Sequence, residues 1–443
     1  MNKKKNQTTE ENFALALQNH KKNNLQIAKK LYNETLKSSP YYEGVHSNLG
    51  ILYNQLGEHQ KAMNCYEKAI KIQPNNSAAY NNLGNTLKEL GEYQKAMSSY
   101  EKAIQINPNY GDAYYNLGII LSELGEYQKA MSSYEKVIQI NPNYANAYYN
   151  LGIIFKELGE YQKAMSSYEK VIQINPNHID AHNNLGIIFN ELGENQKAMS
   201  SYEKAIKIEP ENLTSHWLSM NTFPVIYNNF EEIDQYRKNF LKSIKKVNLL
   251  LDTQSKYSKK QLVNAIKSST NFYLHYQGKD VLELQQHYAH LIEQITQNIY
   301  QEFHKERKKN ISSKYIKIGF VSSFFRSHTV SKLFKNWILK LDQKYFKRFV
   351  YYVGNKFDHT TNEIKQNVDY FFNHTDVDQL INQISHDNLD VLIYLDIGMR
   401  PIIQILSSLR LAPIQCNTWG HPVTSGFKNI DYYFSSELME DQN

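Results

Sequence analysis

The stretch Glu92-Tyr-Gln-Lys-Ala-Met-Ser-Ser-Tyr-Glu-Lys102 occurs three times without change, at 92–102, 126–136 and 160–170. A proline follows each copy at a fixed distance, and the same 34-residue spacing holds for six prolines. They are Pro40, Pro74, Pro108, Pro142, Pro176 and Pro210. Such a period indicates one small helical or stranded unit that is stacked several times along the chain.

The length of the period and the placement of Ala, Tyr, Gly and Pro within it resemble the tetratricopeptide repeat, a pair of antiparallel helices. In the clearest copy we predict one helix over 78–90 and a second over 93–106. Gly91 ends the first helix because glycine takes the left-handed conformation at little cost. Pro108 prevents the second helix from continuing. A single unit cannot bury its apolar face, so stacked neighbours must complete the core.

Three regions follow from the extent of this pattern. Six units of 34 residues fill 7–210, which predicts an α-solenoid, a tetratricopeptide superhelix. In the first unit Ala16 and Asn23 replace two glycines, as expected of a capping repeat. Residues 211–310 are helical in pattern but irregular, and we predict a helical connector. Residues 315–443 change to an α/β pattern.

An asparagine precedes the glycine of the first helix in five successive units. These residues are Asn48, Asn82, Asn116, Asn150 and Asn184. Asparagine inside a helix costs about 0.5 kcal/mol relative to alanine, and its amide both donates and accepts hydrogen bonds. We therefore predict a ladder of amides that holds an extended peptide backbone. The alternative is that duplication copied the residue, which the near identity of the three central units allows.

From residue 315 short apolar strands alternate with helices, which predicts a parallel sheet covered on both faces, a Rossmann-like lobe. The predicted strands are 316–322, 349–353, 368–372, 389–395, 414–419 and 431–434, and the predicted helices are 333–341, 362–367, 377–386 and 401–409. Ligands of such sheets bind beyond the carboxyl ends of the strands. No Gly-x-Gly-x-x-Gly follows the first strand, so a dinucleotide-dependent dehydrogenase is disfavoured.

Polar loops near the strand ends are the candidate site. One follows the first strand, at 322–329, and two flank the fourth, at 386–390 and 396–400. The loop at 420–426 is rich in Gly, Pro, Ser and Thr. Its backbone N–H groups suit phosphates or a sugar.

The overall composition excludes several classes of protein. Fifty basic and 44 acidic residues give a formal charge of +6, which is too small and too dispersed to indicate a nucleic-acid partner. Cys65 and Cys416 are the two cysteines, so a disulfide framework is excluded. The basic amino terminus is not followed by an apolar segment, and no stretch approaches the length of a membrane span. We therefore expect a cytoplasmic protein without membrane or nucleic-acid partners.

Three sequence stretches carry a resemblance to a known family. They are Ile318-Gly-Phe-Val-Ser-Ser323 with His328 downstream, Leu409-Arg-Leu-Ala-Pro-Ile-Gln415, and Trp419-Gly-His-Pro-Val-Thr-Ser-Gly426 followed by Asp431-Tyr432. They resemble the protein O-GlcNAc transferase family, in its bacterial SPINDLY-like branch. The resemblance implies an inverting GT-B glycosyltransferase with two Rossmann-like lobes. It would transfer N-acetylglucosamine from UDP-GlcNAc to Ser or Thr of proteins that the solenoid guides, without metal or cofactor. Other members of the wider family transfer fucose or glucose.

The resemblance also assigns candidate site residues. His328 matches a histidine that faces the sugar and the acceptor, where a neutral imidazole could orient the attacking hydroxyl. Asp387 matches approximately an aspartate proposed as a proton acceptor, and Asp390 stands where related enzymes can carry a histidine. His421 and Thr424 lie in the glycine-bounded loop as candidate substrate ligands. The alternatives are a packed loop histidine, a solvated carboxylate at a helix end, and turn geometry.

The length of the sequence departs from the pattern that the resemblance implies. The sequence stops at Asn443, after the first lobe, whereas the second lobe of the family binds the uridine and the diphosphate. We therefore expect a truncated chain that is inactive alone, unless a separate chain carries the second lobe. The alternative function is a tetratricopeptide adaptor that binds proteins and retains a relic catalytic lobe.

Overall fold

The computed structural model of the chain describes residues 2–252, 257–308, 314–418 and 424–435. It divides into two compact units, residues 1–181 and 182–443, which are described in turn. Within the described residues, no helix combines the length and the apolar character that crossing a membrane requires.

The first unit is a run of antiparallel helix pairs. Its helices are α1 (Asn2–Lys21), α2 (Leu25–Ser38), α3 (Val45–Gln55), α4 (His59–Ile72), α5 (Ser77–Glu89), α6 (Tyr93–Ile106), α7 (Gly111–Glu123), α8 (Tyr127–Ile140), α9 (Ala145–Glu157) and α10 (Tyr161–Ile174). The predicted helical solenoid is confirmed, and the helix predicted at 78–90 begins and ends one residue earlier.

The turns within the pairs depend on residues that tolerate a left-handed backbone. Gly91, directly after α5, has φ +75°. In the first pair Asn23 holds the equivalent turn with φ +61°. Asparagine is among the few residues with a side chain that adopt this conformation readily, which explains how the first repeat closes without its glycine.

The second unit begins with helices. These are α11 (Ile179–Glu191, whose first residues precede the boundary), α12 (Asn195–Ile208), α13 (Leu213–Met220), α14 (Phe230–Asp252), α15 (Lys259–Ser268) and α16 (Leu282–Ile299), with 3₁₀ turns at Phe272–Tyr276 and Gln301–His304. At the start of α15, Ser258 and Gln261 form a reciprocal capping box.

An α/β region follows, and its six strands form one parallel sheet. The elements are β1 (Ile316–Ser322), α17 (Thr329–Leu339), β2 (Phe346–Tyr352), α18 (His359–Asn367), β3 (Tyr370–Asn373), α19 (Val377–Asp387), β4 (Val391–Tyr394), α20 (Pro401–Ser407), β5 (Ile414–Thr418) and β6 (Tyr432–Phe434). The strand order is β3-β2-β1-β4-β5-β6, and every neighbouring pair is parallel. The predicted parallel α/β fold is confirmed.

Helices cover both faces of this sheet. On one face Phe320, Ile393 and Cys416 pack with residues of α17 and α18. The other face contributes Leu392 and Tyr394 to a larger core, which also contains Trp217 of α13 and Tyr288 of α16. The helices predicted as a connector at 211–310 therefore share one hydrophobic core with the sheet.

Candidate functional site

The carboxyl ends of β1 and β4 are joined by a buried carboxylate. Asp396 follows β4 and is fully buried, and its Oδ2 accepts a hydrogen bond of 3.2 Å from the backbone N–H of Ser323. Its Oδ1 has no hydrogen-bond partner among the described residues. Burial raises the pKa of Asp396 to about 7, because removing a carboxylate from water disfavours its charged form. Asp396 thus lies, with a raised pKa, at the carboxyl ends of the strands, where ligands of such folds bind.

His328 lies in the loop after β1 and begins α17. Its Nδ1 accepts a hydrogen bond of 3.2 Å from the backbone N–H of Val330. The imidazole stacks on Phe324, with ring centres 4.0 Å apart and planes 15° apart. Burial lowers the pKa of His328, and the positive charges of Arg326 and Arg400 lower it further.

These contacts fix the protonation pattern of His328. The lowered pKa keeps the ring neutral at pH 7, and a neutral imidazole has one nitrogen that donates and one that accepts. Since Nδ1 accepts from Val330, the proton resides on Nε2. The free edge of His328 can therefore donate a hydrogen bond to a substrate oxygen, whereas it cannot remove a proton through Nε2.

Asp387 and Asp390 lie at the opposite end of the strands, where β1 and β4 begin. The backbone O of Asp387 accepts from Lys317 Nζ at 2.9 Å, and Asp390 Oδ2 accepts from the Lys317 backbone N–H at 2.8 Å. Lys317 is near the start of β1, and about 16 Å of strand separates it from Ser322 at roughly 3.3 Å per residue. The structure therefore does not bring either aspartate together with His328. Asp387 Oδ2 also accepts from the Tyr351 hydroxyl at 2.6 Å, which is an anchoring contact.

Thr424 borders a cavity of about 700 Å³ beside β5, β6 and the start of α16. Its Oγ1 accepts a hydrogen bond of 3.3 Å from the backbone N–H of Gly426, as in a turn. Asn417 lines the same cavity and is 1% exposed, and neither atom of its amide has a partner among the described residues. The predicted ligand His421 lies outside the described residues.

The asparagines predicted as a peptide ladder are all half-buried. Asn116 Nδ2 donates to Asn81 Oδ1 at 3.0 Å, one repeat earlier. Asn150 Nδ2 donates to the hydroxyl of Tyr115 at 3.4 Å in the same relationship. In the second repeat Asn48 Nδ2 instead donates to the backbone O of Gly44 at 2.8 Å. The central members therefore link adjacent repeats, and no residue that the structure describes donates to their amide oxygens.

Asn82 and Asn184 occupy the same register as the other three. No side-chain hydrogen bond of Asn82 is present in the described part of the chain. Asn184 stands in the second unit and is half-buried there. No group of three His, Cys, Asp or Glu side chains is placed to hold a metal ion in the ranges that the structure describes.

Two residues of the site were not selected from sequence, Asp396 and Asn417. The signal for Asp396 was present, since an acidic residue directly follows the apolar run Leu392-Ile-Tyr-Leu395. For Asn417 there was no signal, because a polar residue inside a strand pattern does not reveal whether its amide is satisfied.

Family models match both parts of the chain. Two tetratricopeptide repeat models match 52–91, 84–125, 120–159, 145–178 and 179–212. The model of glycosyl transferase family 41 matches 239–440 and so begins within α14. No curated protein matches the sequence significantly.

Solved structures resemble different portions of the chain. A mutant O-GlcNAc transferase from Thermobaculum terrenum is 16% identical, with a TM-score of 0.47, over 73% of this chain. The chain covers 53% of that protein, or about half its length. MamA is 31% identical, with a TM-score of 0.35, over 37% of this chain and 95% of its own. YrrB is described as a tetratricopeptide protein with an unusual peptide-binding site. It is 24% identical, with a TM-score of 0.36, over 42% of this chain and 95% of its own.

The matches over 52–212 and 239–440 agree with the two kinds of structure that the chain forms. The chain thus combines tetratricopeptide repeats with a region that matches glycosyl transferase family 41.

Proposed function

We propose that this chain, which joins tetratricopeptide repeats to a glycosyltransferase family 41 domain, acts in the glycosylation of proteins. The proposed donor is UDP-GlcNAc, and the proposed acceptors are Ser or Thr hydroxyls of polypeptides that the repeats recognise. The observation that carries the proposal is the match of the family 41 model over 239–440 in a chain whose preceding 52–212 are repeats. Tetratricopeptide repeats generally mediate protein or peptide binding, which suits a polypeptide acceptor.

In the proposed reaction the acceptor hydroxyl oxygen forms a bond to the anomeric carbon of the sugar. The bond from that carbon to the phosphate oxygen breaks, and UDP leaves with the electron pair. The hydroxyl proton passes to the departing phosphate or to solvent. His328, neutral and protonated on Nε2, would donate a hydrogen bond to a substrate oxygen and so orient the reacting groups. Asp387 and Asp390 contact Lys317 near the start of β1, and they therefore lie too far from His328 to act on the same substrate atoms.

The proposed site of acceptor binding in the repeats is the asparagine ladder. Asn116 and Asn150 link neighbouring repeats through their amide nitrogens and retain acceptor oxygens. An extended backbone offers N–H groups at regular spacing that such oxygens can accept. We further propose a cytoplasmic location, and a separate chain with the nucleotide-binding lobe as a partner where transfer requires it.

The test is transfer of labelled sugar by the purified chain to Ser- and Thr-containing proteins, with UDP-GlcNAc, UDP-glucose and GDP-fucose as separate donors. We expect transfer from UDP-GlcNAc when a second chain that carries the nucleotide-binding lobe is supplied. His328→Ala should lower the rate by roughly 100-fold or more if the imidazole orients the reacting groups.

The alternative function is a protein-binding adaptor whose family 41 domain performs no transfer. The matches of the repeat models over 52–212 favour it, since repeats of this kind generally mediate protein binding and need no catalytic domain for it. Peptide binding that persists while none of the three donors is bound or consumed would establish the adaptor and reject the transferase.

A further inference from the structure

Arg326, in the loop of His328, and Arg400, in the loop after β4, both lie close to the ring of Phe324. The guanidinium carbons of Arg326 and Arg400 lie 5.8 and 5.7 Å from the centre of the Phe324 ring. Arg400 is exposed and Arg326 is half-buried. Neither forms an ion pair with any residue in the described ranges, whereas Arg348 and Arg410 each pair with an aspartate. The guanidinium fork matches a carboxylate well, so this pair is available for an anionic group from outside.

Two carboxyl groups that contact the backbone of the His328 loop, those of Asp358 and Asp396, are held by other groups or carry a reduced charge. Asp358 accepts hydrogen bonds from the backbone N–H groups of Ser327 and Thr361, at 2.6 and 3.1 Å, and caps α18. Asp396 is fully buried, and its pKa is raised to about 7. The loop therefore presents a local excess of positive charge at the carboxyl edge of the sheet.

We propose that Arg326 and Arg400 bind acidic side chains that flank the acceptor Ser or Thr of a polypeptide substrate, an inference that rests on the proposed function. Both guanidinium groups lie close to the ring on which the imidazole of His328 stacks, and this imidazole would meet the acceptor hydroxyl. An extended peptide places alternate side chains roughly 7 Å apart on one face. Two acidic residues at such positions can reach one arginine each.

The surroundings favour a peptide over a nucleotide at this position. Phe324 is 6% exposed, since it belongs to the hydrophobic core on one face of the sheet and His328 stacks on its ring. A ring buried in this way offers no platform on which a base could stack. Acidic side chains need no such platform, since charge-assisted hydrogen bonds to two arginines suffice to hold them.

The test is equilibrium binding of two synthetic peptides to the full chain, measured by fluorescence anisotropy. One carries an Asp directly before and an Asp directly after a central Ser, so that the two Asp residues are two positions apart. The other carries Asn at the same two positions. We expect the acidic peptide to bind roughly tenfold more tightly at low salt, and the difference to shrink as ionic strength rises. The double variant Arg326→Gln, Arg400→Gln should bind both peptides equally.

A matched control removes the same charge elsewhere. Lys340 and Lys365 are exposed, and Lys340→Gln with Lys365→Gln should retain the preference for the acidic peptide. Circular dichroism of all variants checks that they are folded. Equal binding of the two peptides by the unchanged chain, or an acidic preference that survives loss of both arginines, would overturn the inference. So would arginine-dependent binding of UDP or pyrophosphate in the absence of acidic-peptide binding.

Sugar transfer is measured separately on the same peptides. Arginine-dependent peptide binding without transfer from any donor would reject the proposed transferase and leave the acidic preference intact. Transfer that is equally fast to the acidic and the neutral peptide would reject the preference and leave the transferase intact.

Discussion

The ring of Tyr134 lies directly against the backbone of Gly118, so that a Cβ built on Gly118 would lie 2.7 Å from Tyr134 Cε1. The same relationship holds in the preceding repeat between Tyr100 and Gly84, at 2.5 Å. Real Cβ atoms do not approach other atoms so closely, and Tyr134 is almost fully buried. The repeated glycine of the first helix is therefore a packing requirement of the repeated tyrosine in the second.

Gly118→Ala should lower the free energy of unfolding by about 1–2 kcal/mol, since overpacking exceeds the gain in helix propensity. Gly111→Ala, in the same helix, is the control. Its Cβ would meet only Ile140 Cγ2, at 3.9 Å, so it should be neutral or stabilising. Urea denaturation followed by circular dichroism gives both values. Equal effects of the two substitutions would contradict the packing argument.

Asp396→Asn should stabilise the protein at pH 8. The pKa of Asp396 is raised to about 7 by burial, above its ordinary 3.8. The folded chain thus holds a proton that the unfolded chain releases near pH 4. The stabilising effect of that proton is complete below pH 4 and is lost as the pH rises through 7. Urea unfolding midpoints from pH 4 to 8 should fall less steeply in the variant.

Asp369→Asn is the control of opposite sign. Burial alone would raise the pKa of Asp369, but hydrogen bonds from the backbone and side chain of Arg348, at 2.9 and 3.0 Å, bring it below 3.8. Its contribution to stability is present above its unfolded pKa and is lost in acid. Asp369→Asn should therefore destabilise the protein at pH 8. If both variants shift the urea midpoint in the same direction at pH 8, the opposite pKa shifts assigned to Asp396 and Asp369 are wrong.

His46 should make the first unit sensitive to mild acid. Burial lowers the pKa of His46 below the ordinary 6.5, although its Nε2 donates to the carbonyl O of Pro40 at 3.1 Å. The unfolded chain therefore takes up a proton near pH 6.5 before the folded chain does. Stability is unaffected above that value and falls as the pH drops below it. Thermal melts of the wild type and His46→Tyr between pH 5 and 7.5 should diverge below pH 6.5, and parallel curves would refute this.

The imidazole of His328 should be neutral at pH 7 with its proton on Nε2. Nitrogen-15 chemical shifts of labelled histidine, assigned by the loss of one signal in His328→Gln, distinguish the two tautomers. Because Arg326 and Arg400 contribute to the lowered pKa, the double variant Arg326→Gln, Arg400→Gln should raise it. A signal from the Nδ1-protonated form would contradict the hydrogen bond from Val330. A pKa unaffected by loss of both arginines would contradict their charge effect on His328.

Changing Asn82, Asn116 and Asn150 together to alanine should abolish peptide binding by the repeats while the helical signal persists. Some stability should be lost as well, because Asn116 and Asn150 connect neighbouring repeats. The matched control changes three exposed turn asparagines of the same repeats to alanine. These are Asn75, Asn109 and Asn143. If the ladder variant and the control bind a captured peptide equally well, the ladder does not hold peptides.

Much of the fold was predictable from the sequence, because glycine, proline and apolar spacing act locally. β1 occupies the predicted residues 316–322. β2 begins at Phe346, whereas the predicted strand began at residue 349. The prediction began too late because Lys347 and Arg348 interrupt the apolar pattern. The strand absorbs Arg348, which is 2% exposed, because Asp369 of the neighbouring segment pairs with it. A contact between residues so far apart in sequence leaves no trace in a local pattern.

The site was less predictable than the fold, for a geometric reason. Asp387 and Asp390 precede β4, whereas Asp396 follows it, and only the end that follows a strand meets the loop of His328. Both loops are equally polar in sequence, and resemblance alone favoured the earlier one. Which carboxylate keeps an unpaired oxygen depends on burial and on a distant backbone N–H, and both appear only once the sheet is assembled.

The core that Trp217 and Tyr288 share with Leu392 and Tyr394 sets a practical limit on how the gene can be divided for expression. A fragment cloned from the start of the sheet would leave those side chains without the helices that cover them, and we expect it to precipitate. Cloning from ahead of α13 keeps the cover in place. Truncation series intended to isolate the transferase-like part should begin there.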